Sequence, residues 1–134
     1  MALAVIAGAA TKPNVLFIAI DDLRPELGAY GAKHIQSPNI DSLAASGLTF
    51  NHHYVAIPTC GASRYAMLTG RRPSESKAMN NDAFYPGKRT ALSRKELPGA
   101  QSMPELFRRN GYFTSCIGKI SHTPDGKVYE YNGK

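Results

Sequence analysis

Residues 14–20, NVLFIAI, form a continuous apolar run of strand length with no alternation of polar positions. Such a run suits a central parallel strand covered on both faces. It stops abruptly at Asp21-Asp22, where a strand of this kind would emerge at the edge of its sheet. The next segment, SPNIDSLAASG, changes period. Ile40, Leu43 and Ala44 make an apolar stripe at helical spacing, Ser37 and Asn39 offer caps, and Gly47 is a stop. LTFNHHYV, residues 48–55, reads as a second strand.

A short helix is expected over residues 61–68, beginning just after Cys60 and halted by Gly70. SMPELFRRNG predicts another, with Ser102 as cap, Pro104 in the first turn and Gly111 as terminator. YFTSCIG, residues 112–118, is a further buried strand that leads directly into Lys119. Alternation of strand and helix implies an α/β fold, a mostly parallel sheet flanked by helices. Ligands of such sheets bind beyond the carboxyl ends of the strands, and Asp21, Asp22 and Lys119 all fall at such ends. Residues 73–102 show no clear period. An irregular connection of that length is uncommon in a compact domain and predicts a binding loop or lid, here carrying Lys88, Arg89, Arg94 and Lys95. The tail from His122 predicts a turn or hairpin.

The chain has 134 residues, enough for one small domain with one core. No apolar run reaches the roughly 20 residues of a membrane span. A net charge of +6 suits an anionic partner as well as a solvated surface. Basic residues do not interleave with aromatics and no recognition motif appears, which argues against nucleic acid. The first ten residues, MALAVIAGAA, are small and apolar without a positive leading region, and read as a residual export signal or an unstructured start. Two cysteines are too few for a disulfide scaffold. Cys116, in an apolar run, is expected to be a buried, inert thiol.

Two small groups of residues suggest chemistry. Adjacent carboxylates at a strand end favour a cation, and oxygen ligands favour a hard one, Ca²⁺ or Mg²⁺; a surface pair capping a helix is the alternative. Cys60, at a helix N-terminus, sits where the dipole and free N–H groups favour an anion. Arg64, one turn on, projects from the same face. Together they form a cradle for a tetrahedral oxyanion, unless Cys60 is simply structural and Arg64 a surface residue.

Four segments in this order, KPNVLFIAIDDLRPELGAYG, SPNIDSLAASGLTFNHHYV, CGASRYAMLTGRRP and GYFTSCIGKISH, resemble the N-terminal part of a type I sulfatase, within it the iduronate-2-sulfatase group. The resemblance implies an alkaline-phosphatase-like α/β fold, with residues 11–134 as the N-terminal part of a longer catalytic domain. It also implies that Cys60 is oxidised to formylglycine, whose hydrated aldehyde attacks sulfur through one hydroxyl and expels sulfate through the other. Covalent catalysis of this kind has its own exit, which a serine ester lacks. Asp21 and Asp22, with modified Cys60, would then hold Ca²⁺ as a Lewis acid, Mg²⁺ being the lesser candidate. Arg64 would stabilise the diol. Lys119 would bridge diol and sulfate, and His122 would assist proton transfer.

The family pattern C-x-P-S-R departs here, since Ala62 stands in the proline position; this bears on the route of maturation more than on the chemistry. The implied partners are a formylglycine-generating enzyme, the rest of the sulfatase chain and a sulfated carbohydrate. The expected substrate is an acidic sugar such as a 2-O-sulfated uronate of a glycosaminoglycan. A periplasmic, secreted or lysosomal setting goes with it. A phosphonate or phosphate ester hydrolase of the same superfamily, and a non-catalytic polyanion-binding fragment, are the competing readings. Of His52 and His53, adjacent on a strand, one at most faces the site; His53 is the substrate-pocket candidate.

Overall fold

Four α-helices and one 3-10 turn make up the regular structure of the described residues, 12–84 and 101–122 of the computed structural model. The 3-10 turn is Gly28–Tyr30; α1 spans Pro38–Ser46, α2 Cys60–Thr69, α3 Pro73–Ser76 and α4 Met103–Arg109. Helices α1, α2 and α4 lie where the local sequence signals predict them, although Ser37, the expected cap of α1, makes no capping bond and accepts from the Gly28 N–H instead. A proline in the first turn opens α1, α3 and α4, a position where its missing N–H costs nothing and its fixed φ is already helical. Ser102 caps α4 by accepting from the Glu105 N–H. Gly70 ends α2 in the left-handed region (φ 66°), its N–H donating to the Ala66 carbonyl.

The core is small and built around α2. Tyr65 and Leu68 of that helix are fully buried against Ala78, Ala83 and Phe84, and Met103 and Ile120 pack on the cluster. The Tyr65 and Phe84 rings meet with centroids 5.2 Å apart. The irregular stretch expected from residue 73 thus begins with a helix, α3, and its next residues fold back as core. A period-based reading misses this because the buried positions 78, 83 and 84 follow neither a helical nor a strand repeat. Lys88, Arg89, Arg94 and Lys95 lie outside the described residues, as do the first ten residues and the expected hairpin of the tail.

The expected parallel sheet is not formed: no strand is present among the described residues. Segments 14–20, 48–55 and 112–118 run without ladder pairing. A parallel strand buried on both faces requires neighbours and covering helices, and those apolar side chains are uncovered. Leu16 is 85% exposed, and Phe113 and Ile117 are each 94% exposed. The segments still approach one another. A cleft of about 640 Å³ lies between residues 15–19 and 115–120, lined in part by Phe17, Ile18, Ser115 and Cys116. Cys116 is exposed rather than buried, a correction with the same cause: its run has no covering layer.

Candidate active site

Cys60 is the first residue of α2, after an extended Thr59 (φ −140°, ψ 141°). The first intrahelical bond runs from the Ser63 N–H to the Thr59 carbonyl, so the N–H groups before it need partners from elsewhere. Thr59 does not cap its own helix. Its hydroxyl pairs instead with Asn81 Oδ1 (2.7 Å), which also accepts from the Gly61 N–H (2.8 Å). Gly61 is required here by space. A Cβ on it would stand 2.4 Å from Asn81 Cα and 2.8 Å from the Asn80 carbonyl oxygen.

Asp21 and Asp22 follow the apolar run at residues 14–20 and come to Cys60 from the other side. One carboxylate oxygen of each, with Cys60 Sγ, makes a group whose atoms all lie within 4.8 Å of one another. Sγ stands 4.0 Å from Asp22 Oδ1. Asp22 adopts a left-handed backbone (φ 51°), a conformation that Asp tolerates better than most residues. That turn lets two sequence-adjacent carboxylates address one point.

Arg64, buried with its side chain 6% exposed, ties the site together. Nη2 donates to Asp21 Oδ1 (2.8 Å), while Nη1 donates to the carbonyls of Lys119 (2.6 Å) and Ile120 (3.2 Å). Lys119 Nζ donates to Asp21 Oδ2 (2.5 Å). Each oxygen of Asp21 therefore faces a cation. Its pKa falls from the ordinary 3.8 to about 2, through the Lys119 hydrogen bond first and the Arg64 hydrogen bond second. The same bond to Asp21 raises Lys119 above its ordinary 10.5. Both groups are charged at any physiological pH.

His122 lies two residues beyond Ile120, and its Nδ1 is buried with no hydrogen-bond partner among the described residues. A buried polar atom left open in this way suits a group whose partner is a ligand. His53 is elsewhere. It lines a neighbouring cleft with Leu23 and Tyr54, edge-on to Phe50 (centroids 6.0 Å apart). No hydrogen bond among the described residues joins it to the acidic group.

The donor set fits a hard divalent cation in part. Two carboxylates converge, and no ion pair to the Asp22 carboxylate is present among the described residues. The third donor, a sulfur, is soft and poorly matched to Ca²⁺ or Mg²⁺. An oxygen at position 60 would complete an all-oxygen face. Asn81 is the neighbour of this site that sequence reasoning misses. Its spacing from Cys60 follows no local repeat, and only the clustered Asn80-Asn81 before a turn marks it.

No solved structure matches the chain. Among curated proteins it is 38% identical over 109 residues to human iduronate 2-sulfatase, covering 81% of this chain and 18% of that protein. It is 39% identical over 131 residues to a sulfatase of Formosa agariphila (92% and 24% covered). Bovine arylsulfatase A is 40% identical over 121 residues (89% and 23%). The chain thus spans about a fifth to a quarter of these relatives' lengths. The family model described as Sulfatase matches residues 13–133, a stretch that contains every residue of the Cys60 site, and on that match the chain belongs to the sulfatase family.

Proposed function

We propose that this chain supplies the nucleophile half of the active site of a sulfuric ester hydrolase acting on a sulfated acidic sugar, such as a 2-O-sulfated uronate of a glycosaminoglycan. The observation that carries the reading is the convergence of Cys60 Sγ with both carboxylates inside 4.8 Å, beside the Asp21–Arg64–Lys119 network. These elements come from residues 21–22, 60–64 and 119–120, and fold alone brings them together.

Converted to formylglycine, position 60 would supply a hydrated aldehyde whose oxygen attacks sulfur as the S–O bond to the sugar breaks and the alcohol leaves; the second hydroxyl would then expel sulfate as the aldehyde re-forms. A bound Ca²⁺, held by Asp21, Asp22 and that oxygen, would act as a Lewis acid toward the sulfate; it needs roughly 6–8 oxygens, so further ligands come from beyond these residues. The chain's own side chains divide the remaining work. Arg64 acts as a positioning residue: it bonds Asp21 and two backbone carbonyls, so it sets where Asp21 and Lys119 stand. Lys119, exposed at its tip and charged, offers a cation to the sulfate oxygens as negative charge develops. His122 holds or moves a proton at its open Nδ1. Asp22, facing position 60, orients the attacking group. His53, in the adjacent cleft, contacts the sugar beyond the sulfate. An exported or lysosomal location accords with such substrates, as does the absence of any described helix long and apolar enough to cross a membrane.

The test is sulfate release from para-nitrophenyl sulfate by the complete protein, expressed in a host able to modify Cys60, with mass spectrometry of the Cys60 peptide. Conversion of Cys60 with sulfate release supports the reading. Preferential turnover of a phosphate diester instead points to the phosphoesterase alternative, and an unconverted thiol in active-host protein points to a non-catalytic polyanion binder.

A further inference from the structure

We infer that Asn81 is a positioning residue for the nucleophile, a clamp that fixes position 60 by gripping the residues on both sides of it. The inference rests on the sulfatase reading of Cys60. Asn81 Oδ1 accepts from the Thr59 hydroxyl at 2.7 Å and from the Gly61 N–H at 2.8 Å. One oxygen thus holds both flanks of Cys60 and satisfies an N–H that the helix leaves open. It does for α2 what a capping side chain ordinarily does, while Thr59, at the capping position, makes no such bond itself.

The clamp is anchored at both ends. On the Cys60 side, Gly61 lets the backbone of residues 80–81 come into contact with the helix, and any Cβ there would collide with Asn81 Cα. On the other side, Ala78, Ala83 and Phe84 flank the Asn80-Asn81 turn and are buried against Tyr65 and Leu68 of α2 itself. The turn is therefore fastened to the same helix whose first residue it positions. Held on both flanks of Cys60, the backbone there has its direction set by Asn81, and with it the direction in which the side chain leaves toward Asp22. Small displacements of a nucleophile are expensive in rate.

The experiment uses the complete protein with para-nitrophenyl sulfate, rates being normalised to the formylglycine content of each preparation. In Asn81→Ala, kcat is expected to fall about tenfold, equivalent to about 1.4 kcal/mol, with KM changed less than about twofold. Asn81→Asp retains the accepting oxygen and is expected to restore kcat to within about threefold of wild type. Gly61→Ala, which pushes residues 80–81 away, is expected to lower kcat similarly, and its combination with Asn81→Ala to cost little more than either alone. A kcat within about twofold of wild type in Asn81→Ala overturns the clamp, as does failure of Asn81→Asp to recover activity at equal modification and equal Tm. An inactive wild type overturns the sulfatase reading itself, and the clamp with it; an active wild type with insensitive Asn81 variants overturns the clamp alone.

Discussion

At the scale of single residues, Arg64 holds the other charged groups in place, bonding the Asp21 carboxylate and the carbonyls of Lys119 and Ile120. Cys60, Arg64, Asp21 and Lys119 sit in short, ordered motifs, and the fold brings them within bonding reach. What the motifs conceal is the use of each group. Arg64 is not a free cation at the nucleophile but a three-bonded tie, so its replacement is expected to act through Asp21 and Lys119. Arg64→Lys cannot reproduce bonds to a carboxylate and two carbonyls, and is expected to lower Tm and destabilise the fold by about 1–3 kcal/mol. Cys60→Ala, by contrast, is expected to leave folding unchanged while abolishing sulfate release in the complete protein. The Asp21–Lys119 pair also predicts a pH response. Because Asp21 is depressed to about 2 from 3.8, its stabilising contribution is complete above pH 3.8 and is lost as pH falls through 2. Lys119, raised above 10.5, contributes fully below that value and loses its part only in stronger alkali. Stability should therefore be indifferent to this pair between about pH 4 and 10. Asp21→Asn is expected to flatten the acid limb of a urea-midpoint titration, and an unaltered limb would count against the network.

At the scale of elements, helices were readable and sheet was not, for one physical reason. A helix satisfies its backbone within itself, so local signals suffice to locate it: an apolar stripe for α1, the Gly70 stop for α2, and Ser102 with Pro104 for α4. A strand depends on partners distant in sequence, and an apolar run states only that it is able to be buried. Residues 14–20, 48–55 and 112–118 have that capacity, yet remain unpaired among the described residues. Residues 78–84 carry no such signal for the opposite reason, being core without any period. The close backbone contact of α2 with the Asn80-Asn81 turn gives a sharp test. Gly61→Ala forces a Cβ into backbone atoms at 2.4–2.8 Å and is expected to cost about 1–3 kcal/mol by overpacking, read as a lowered Tm.

On the scale of the whole molecule, membership of the sulfatase family implies an alkaline-phosphatase-like α/β fold, of which the described residues show helices and no strand. Leu16, Phe113 and Ile117 present apolar surface that a completed sheet would cover. The isolated 134-residue chain is accordingly expected to bind a fluorescent apolar dye strongly and to self-associate on gel filtration. The complete protein should do neither, and a dye-silent monomeric fragment would contradict the exposed faces. The left-handed turn at Asp22 has an evolutionary corollary. Asparagine is at least as comfortable in that backbone conformation and lifts the like-charge crowding beside Asp21. Laboratory selection for heat resistance alone would thus drift toward asparagine at position 22, at the expense of the cation site proposed there.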